Sequence, residues 1–219
     1  MTETERDTLL QAALAHVPFE GMNDRALQAG ARDAGIPAAM IRVHFPQGGA
    51  SLAAAYHRRA DAALAQWLRT TPPLGRFSDR IAQAVWHRLT LTDPDLVRAG
   101  AATLMLPQNA GLAARLVWET ADLIWSGLGD TSTDANWYTK RATLSAVISA
   151  SVLFWLGDDS PERAETRAFI DRRVAGVMRF EGIKSRLRKL PGATTLGHLA
   201  LGWVRAPAPR DLPGRRPTE

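Results

Sequence analysis

Apolar residues return every three or four positions along nearly the whole chain, and no stretch of useful length alternates with a period of two. That spacing specifies amphipathic helices and leaves no raw material for a sheet. The clearest case follows Ser51, a predicted helix cap. Leu52, Ala55, Tyr56, Ala63, Leu64, Trp67 and Leu68 form one stripe there, until Thr-Pro-Pro-Leu-Gly at 71–75 stops it. Leu10, Ala13, Leu14 and Val17 predict a first helix before Pro18 and Gly21, and a second spans about 24–33. Pro37 opens a short third helix ending near His44. Ile81, Ala84, Val85 and Leu89 mark a fifth. Asp93-Pro94 caps and starts a sixth, which stops at Pro107. A seventh runs from Asn109 to about Leu128, and an eighth, capped by Asp134 or Thr133, reaches Leu156 before Gly157. Ser160-Pro161-Glu162 opens a ninth. The fold class is all-α.

Composition narrows the chemistry. There is no cysteine, which removes disulfides, thiolate catalysis and thiolate metal sites. No run approaches the eighteen apolar residues that a membrane-spanning helix needs. The acidic start, "MTETERDTLL", resembles neither a secretory signal nor an Arg-rich transit peptide. The expectation is a protein of the bacterial cytoplasm, peripherally associated with the inner membrane.

Charge is distributed unevenly. Residues 1–171 carry 16 Lys/Arg and 19 Asp/Glu, a net of −3, whereas residues 172–219 carry 11 and 3, a net of +8. In "FEGIKSRLRKL", Phe180, Ile183, Leu187 and Leu190 fall within about 80° on a helical wheel, with Lys184, Arg186, Arg188 and Lys189 elsewhere. After Pro191-Gly192, Leu196, Leu199, Ala200, Trp203 and Val204 again follow helical spacing. Two readings fit: basic amphipathic segments that lie on a membrane, or a last helix docked on the body before a disordered tail.

Catalytic patterns are missing. The five histidines are scattered, and none follows a Glu by three residues as in di-iron carboxylate bundles. His57 and Asp61 stand one turn apart, a spacing expected of a surface contact. "GLGD" at 127–130 lacks the glycine pattern and strand of a nucleotide loop. No catalytic residue, metal site or cofactor is expected.

Residues 24–45, "DRALQAGARDAGIPAAMIRVHF", read as a helix–turn–helix leading into a long helix, an arrangement that resembles TetR-type regulators. A ligand-responsive regulator binding DNA is therefore the alternative function. The short second helix, however, offers Pro37, Ala38, Ala39, Met40 and Ile41, with Arg42 its one cation, which is poor chemistry for bases or phosphates. Binding to nucleic acid is not expected.

The most distinctive stretch is "GDTSTDANWYTKRATL" at 129–144. Adjacent helical residues are turned by about 100°, so Trp137 and Tyr138 cannot share one direction. Trp137 aligns with Leu144, Ile148, Ser151 and Trp155 within about 60°, which predicts it inside and Tyr138 outside. "LMLPQN" (104–109), "GDTSTDANWYTKRA" (129–142) and "DDSPE" (158–162), with the opening "LLQAALAHVPFEGM", resemble the Coq-nine family of ubiquinone-biosynthesis accessory proteins over about residues 7–180.

That resemblance implies a TetR-like fold turned from DNA to lipid: a non-enzymatic homodimer that binds an isoprenoid quinone or other lipid. It would present the precursor to the di-iron demethoxyubiquinone hydroxylase of the Coq-seven family. It implies a partner surface at Trp137 and Tyr138, with Asp134, Asn136 and Arg141 in the same motif and Leu106 and Pro107 nearby. It also implies an amphipathic C-terminal segment on a membrane surface, for which Phe180, Ile183, Lys184, Leu187, Arg188, Leu190, Leu199 and Trp203 are the candidates. A polyprenyl tail needs an apolar tunnel, and Trp86, Leu104, Met105, Leu116, Trp118, Leu123, Val147, Phe154 and Trp155 could line one, though such spacing equally builds core. The expected organisation is a helix–turn–helix-like part (1–50), a lipid-binding body (51–180), a membrane-contacting segment (181–204) and a disordered tail (205–219).

Overall fold

The computed structural model describes residues 3–133 and 135–187, with side chains from residue 5 to residue 177 within that span. Every regular element among the described residues is helical. They are α1 (Glu3–Glu20), α2 (Asp24–Asp33), α3 (Ala38–His44), α4 (Gly49–Thr70), α5 (Phe77–Thr90), α6 (Pro94–Leu104), α7 (Ala110–Gly127), α8 (Ala135–Leu156) and α9 (Ala164–Leu187), with 3-10 turns at Pro107–Asn109 and Pro161–Arg163.

Two apolar cores share α4. Its first half gives Leu52, Ala53, Ala55 and Tyr56 to a core with α1, α2 and α3, where Leu9, Leu27 and Phe45 are fully buried. Its second half gives Leu64 and Leu68 to a core with α5, α7, α8 and α9, around Ile81, Val85, Ile124, Trp125, Ile148, Trp155 and Ile170. A 22-residue helix is about 33 Å long, enough to hold both cores in one frame.

Caps set the boundaries. Asn23 accepts from the Arg25 and Ala26 amides, and Asp93 accepts from the Asp95 and Leu96 amides ahead of Pro94. Among the first four helices, two boundaries differ from expectation. α1 continues past Pro18, because the missing N–H costs one bond in a turn that is already ending; Gly21, at φ +78°, closes it. α4 begins at Gly49 rather than after a Ser51 cap, and the Ser51 hydroxyl instead accepts from the Gln47 amide at 3.0 Å. A Cβ on Gly49 would lie 2.3 Å from the Met22 carbonyl oxygen, so glycine is what lets α4 start against the α1–α2 corner.

"DDSPE" is the α8–α9 corner. The Asp158 carboxylate accepts from the Ser160 amide and from the amide and hydroxyl of Thr166, bonds that hold its pKa far below the ordinary carboxylate range. Arg163 donates to the carbonyls of Trp155 and Asp158. From there α9 runs unbroken to Leu187, across the boundary expected at 180/181. The expected membrane contacts at Phe180, Ile183, Lys184 and Leu187 fall on α9 where side chains are not described. Arg188, Leu190, Leu199, Trp203 and Asp134 lie outside the described residues, as does the expected tail.

A second close backbone approach is at Gly30 of α2, where a Cβ would meet Ala13 backbone atoms at 2.4 and 2.6 Å. Gly111, in α7, has open space around it. Gly30→Ala is expected to lower stability by about 1–3 kcal/mol. Gly111→Ala should be neutral or raise it by up to about 1 kcal/mol. Urea unfolding of the two variants side by side checks the difference.

Candidate functional site

Between α4, α5, α6, α7 and α8 lies an apolar cavity of about 450 Å³. Its walls are built largely where side chains are small: Ala53, Gly100, Ala101, Ala110 and Ala113 leave room that Leu96, Val97, Leu116, Val117 and Val152 do not fill. Met105 and Leu153 line it too and are 76% and 64% exposed, so they belong to a rim open to solvent.

Of the nine expected lining residues, Leu104, Met105 and Leu116 face this cavity. The other six do not. Val147 and Trp155 are buried in the second core, and Leu123 packs against it. Phe154 stacks on Phe169 with ring centroids 4.5 Å apart. Trp86 borders a separate, polar groove between α5 and α9, under the Arg167 guanidinium. Trp118 belongs to a surface cluster described below. Large side chains fill space, so they mark the core rather than the void.

One stretch of wall is charged. The Asp61 carboxylate accepts from Arg88 at 2.6 Å and from the Thr120 hydroxyl at 3.0 Å. His57 lies 2.8 Å from Thr120 and 3.4 Å from Asp61, and Arg88 also donates to the His57 carbonyl at 3.0 Å. Burial would raise the Asp61 pKa, but the His57 hydrogen bond and the Arg88 charge outweigh it and hold the pKa below its ordinary value. His57 and Asp61 are thus not a surface contact. The signal was available: Arg88 follows Ile81, Ala84 and Val85 at core spacing on α5, and Asp61 precedes Leu64 and Leu68 on α4.

On the surface of α7 and α8, three aromatic rings meet. Trp137 and Tyr138 are 4.7 Å apart edge to face, and Trp118 lies 5.9 Å and 6.3 Å from them. Trp137 is half-buried and Tyr138 is 36% exposed, as their positions on the helical wheel require. Arg141 does not offer its charge to a partner. It is 2% exposed, with Nε 2.5 Å from Asp122, Nη1 3.1 Å from Asp130, and its guanidinium 3.9 Å from the Trp137 ring centroid. Asp130 is also buried, and accepts from Lys140 at 2.7 Å and from Ser132 at 2.8 Å. Burial would raise its pKa; Lys140, Ser132 and Arg141 together hold it below the ordinary value. Asn136 is half-buried in the first turn of α8. Leu106 and Pro107 are exposed in the α6–α7 connection, and Leu106 borders a hollow with Met22, Gly49 and Asn109.

On α3 the exposed side chains are Ala38, Ala39, Arg42 and Val43. Arg42 is tied to Asp24 at 2.6 Å, so even this cation is neutralised.

The sequence model of COQ9, the Coq-nine family, matches residues 110–181. "Ubiquinone biosynthesis protein COQ9, mitochondrial" of Drosophila melanogaster is 31% identical over 188 residues, covering 83% of this chain and 57% of that protein. The Homo sapiens protein is 31% identical over 78% of this chain and 56% of its own length. The Schizosaccharomyces pombe protein is 31% identical over 76% of this chain and 67% of its own. The chain thus spans a little over half the length of the first two. Among solved structures, a TetR transcriptional regulator from Nitrosomonas europaea superposes with a TM-score of 0.62 at 18% identity, covering 79% of this chain and 97% of that one. Another from Rhodococcus sp. RHA1 gives 0.56 at 14%, covering 81% and 97%. They share the fold. The expected bacterial, inner-membrane location is overturned: the COQ9 relatives are named as mitochondrial proteins of eukaryotes.

The two aromatic neighbours should separate on mutation. Trp137→Ala should cost about 2 kcal/mol and Tyr138→Ala under about 1, since both lose ring contacts but only the first is half-buried with a cation beneath its ring. Arg141→Met should cost about 3 kcal/mol, because it strands the Asp130 carboxylate among fewer partners. Asp61 and Asp130 have lowered folded pKa values, so their stabilisation is present above the unfolded pKa of about 4 and is lost as pH falls through the lower folded values. Urea midpoints should be nearly flat from pH 7 to 5 and fall towards pH 3, less steeply in Asp130→Asn.

Proposed function

The chain belongs to the COQ9 family of ubiquinone-biosynthesis proteins, and we propose that it binds an isoprenoid lipid in the apolar cavity and presents it to the demethoxyubiquinone hydroxylase. The single observation that carries the reading is a buried apolar space whose rim, at Met105 and Leu153, is itself apolar and exposed. A cavity lined this way gains free energy by exchanging water for hydrocarbon. A shallow groove between α7 and α8 shares Ala113, Val117 and Ser149 with the cavity and ends at Trp118, so the lipid and the aromatic cluster meet on the same pair of helices.

In this reading Trp118, Trp137 and Tyr138 form the docking surface with Arg141 beneath, and Asn136, Leu106, Pro107 and, from the sequence motif, Asp134 are further candidates for the contact. Aromatic side chains of this kind are rigid and gain much from desolvation. The protein acts without a catalytic step of its own, as a homodimer, and the basic segment from α9 onward rests on an anionic membrane. A DNA-binding role, the alternative that the likeness to TetR transcriptional regulators raises, is disfavoured by the paired Arg42 on an otherwise uncharged α3 face.

Organic extraction of the purified protein should release a polyprenyl quinone or another isoprenoid lipid. Protein that is reproducibly lipid-free and takes up no isoprenoid would overturn the proposal, and salt-dependent, sequence-selective binding to an operator would favour the regulator instead. Tyr138→Ala should weaken the complex with the hydroxylase about tenfold or more while unfolding at the same temperature as the parent.

A further inference from the structure

The cavity is not uniform. Tyr56, on α4, is 7% exposed and forms part of its wall. The Tyr56 hydroxyl oxygen accepts from the Asp93 amide at 2.8 Å, which anchors it at the α5–α6 corner beside Thr92. Its own proton has no acceptor among the described residues. The neighbouring wall hydroxyls are committed: Thr120 donates to Asp61 and Thr92 donates to the Leu89 carbonyl at 2.8 Å. Arg88 donates to Asp61 and to the His57 carbonyl. Burial raises the Tyr56 pKa, so the phenol stays protonated and remains a donor. A buried O–H with no acceptor is costly, and a ligand oxygen can relieve that cost where hydrocarbon cannot.

Apart from Ser149, which is exposed, the remaining wall is hydrocarbon out to the rim at Met105 and Leu153. A molecule with an oxygen-bearing ring at one end and an isoprenoid chain at the other matches this division in one orientation. We propose that Tyr56 is a specificity-determining residue: its hydroxyl donates to a carbonyl or phenolic oxygen of the lipid's ring, fixing the head at the α5–α6 corner while the tail leaves past Met105 and Leu153. This rests on the lipid-binding reading above and adds a direction to it. Arg88 and His57, locked to Asp61 and Thr120, act as positioning residues that keep the polar end of the cavity polar.

The test uses the full chain, stripped of lipid, with two probes of equal tail length: a prenylated benzoquinone and the corresponding prenyl hydrocarbon. The wild-type protein should bind the quinone about tenfold more tightly, the worth of one well-made hydrogen bond to a buried donor. Tyr56→Phe should erase the preference while leaving hydrocarbon affinity as the internal reference. In the infrared, the carbonyl band of the bound quinone should move to lower frequency in wild type and not in Tyr56→Phe. Equal affinity for the two probes in wild type, or a preference that survives Tyr56→Phe, overturns the assignment of Tyr56 and leaves lipid binding intact. Binding of neither probe overturns both readings. Should Tyr56→Phe fail to fold, the wild-type band decides alone: a carbonyl at its alkane-solvent frequency is incompatible with the proposal.

Discussion

The guanidinium of Arg141 sits where an aliphatic side chain would normally be. It is one turn after Trp137 and three residues before Leu144, on the inward stripe of α8, and almost no solvent reaches it. A cation in that position is sustainable only if carboxylates come to it. Asp122 comes from α7 and Asp130 from the turn that joins α7 to α8, and Lys140 closes the set against Asp130. One charge therefore fixes the spacing of two helices, the path of the turn and the tilt of Trp137, whose ring lies on the guanidinium. The aromatic cluster is thus seated on a buried cation.

The Asp61–Arg88 pair does for the cavity what Arg141 does for the surface. It ties α4 to α5, and through Thr120 it ties both to α7. Each of the two pairs places a polar device at an otherwise apolar contact. That position specifies which helices meet more sharply than hydrocarbon alone would, since a mispaired charge is far more expensive than a misplaced methyl group.

The helices themselves were legible in the sequence, because apolar period and capping chemistry act locally: Asp93-Pro94 and the Trp137-Leu144-Ile148 stripe do what their spacing implies, whereas Ser160-Pro161 opens a 3-10 turn and α9 begins only at Ala164. The cavity was not. It is defined by absent volume, and the residues that make it, such as Ala53, Ala101 and Ala113, carry no signal of their own. Trp86, Phe154 and Trp155 drew attention by size and turned out to fill space elsewhere. Buried charge was missed for a related reason. One-turn spacing reads His57 and Asp61 as a surface contact, and the family resemblance puts Arg141 in the partner motif, although each stands at a core-facing position of its helix. The extent of α9 was hidden by Gly182, a weak helix former that lies inside the helix.

Room for about 450 Å³ of ligand is the size of a compact drug-like molecule. A ring and the first few isoprene units fit such a space; a long polyprenyl chain does not. If the cavity takes the lipid as proposed, recognition and retention are divided between two media: the head is selected inside the helical bundle, while most of the tail stays in whatever apolar phase meets the rim. The energetic barrier to taking up a long lipid would then be that of lifting one end of it, nearly independent of chain length.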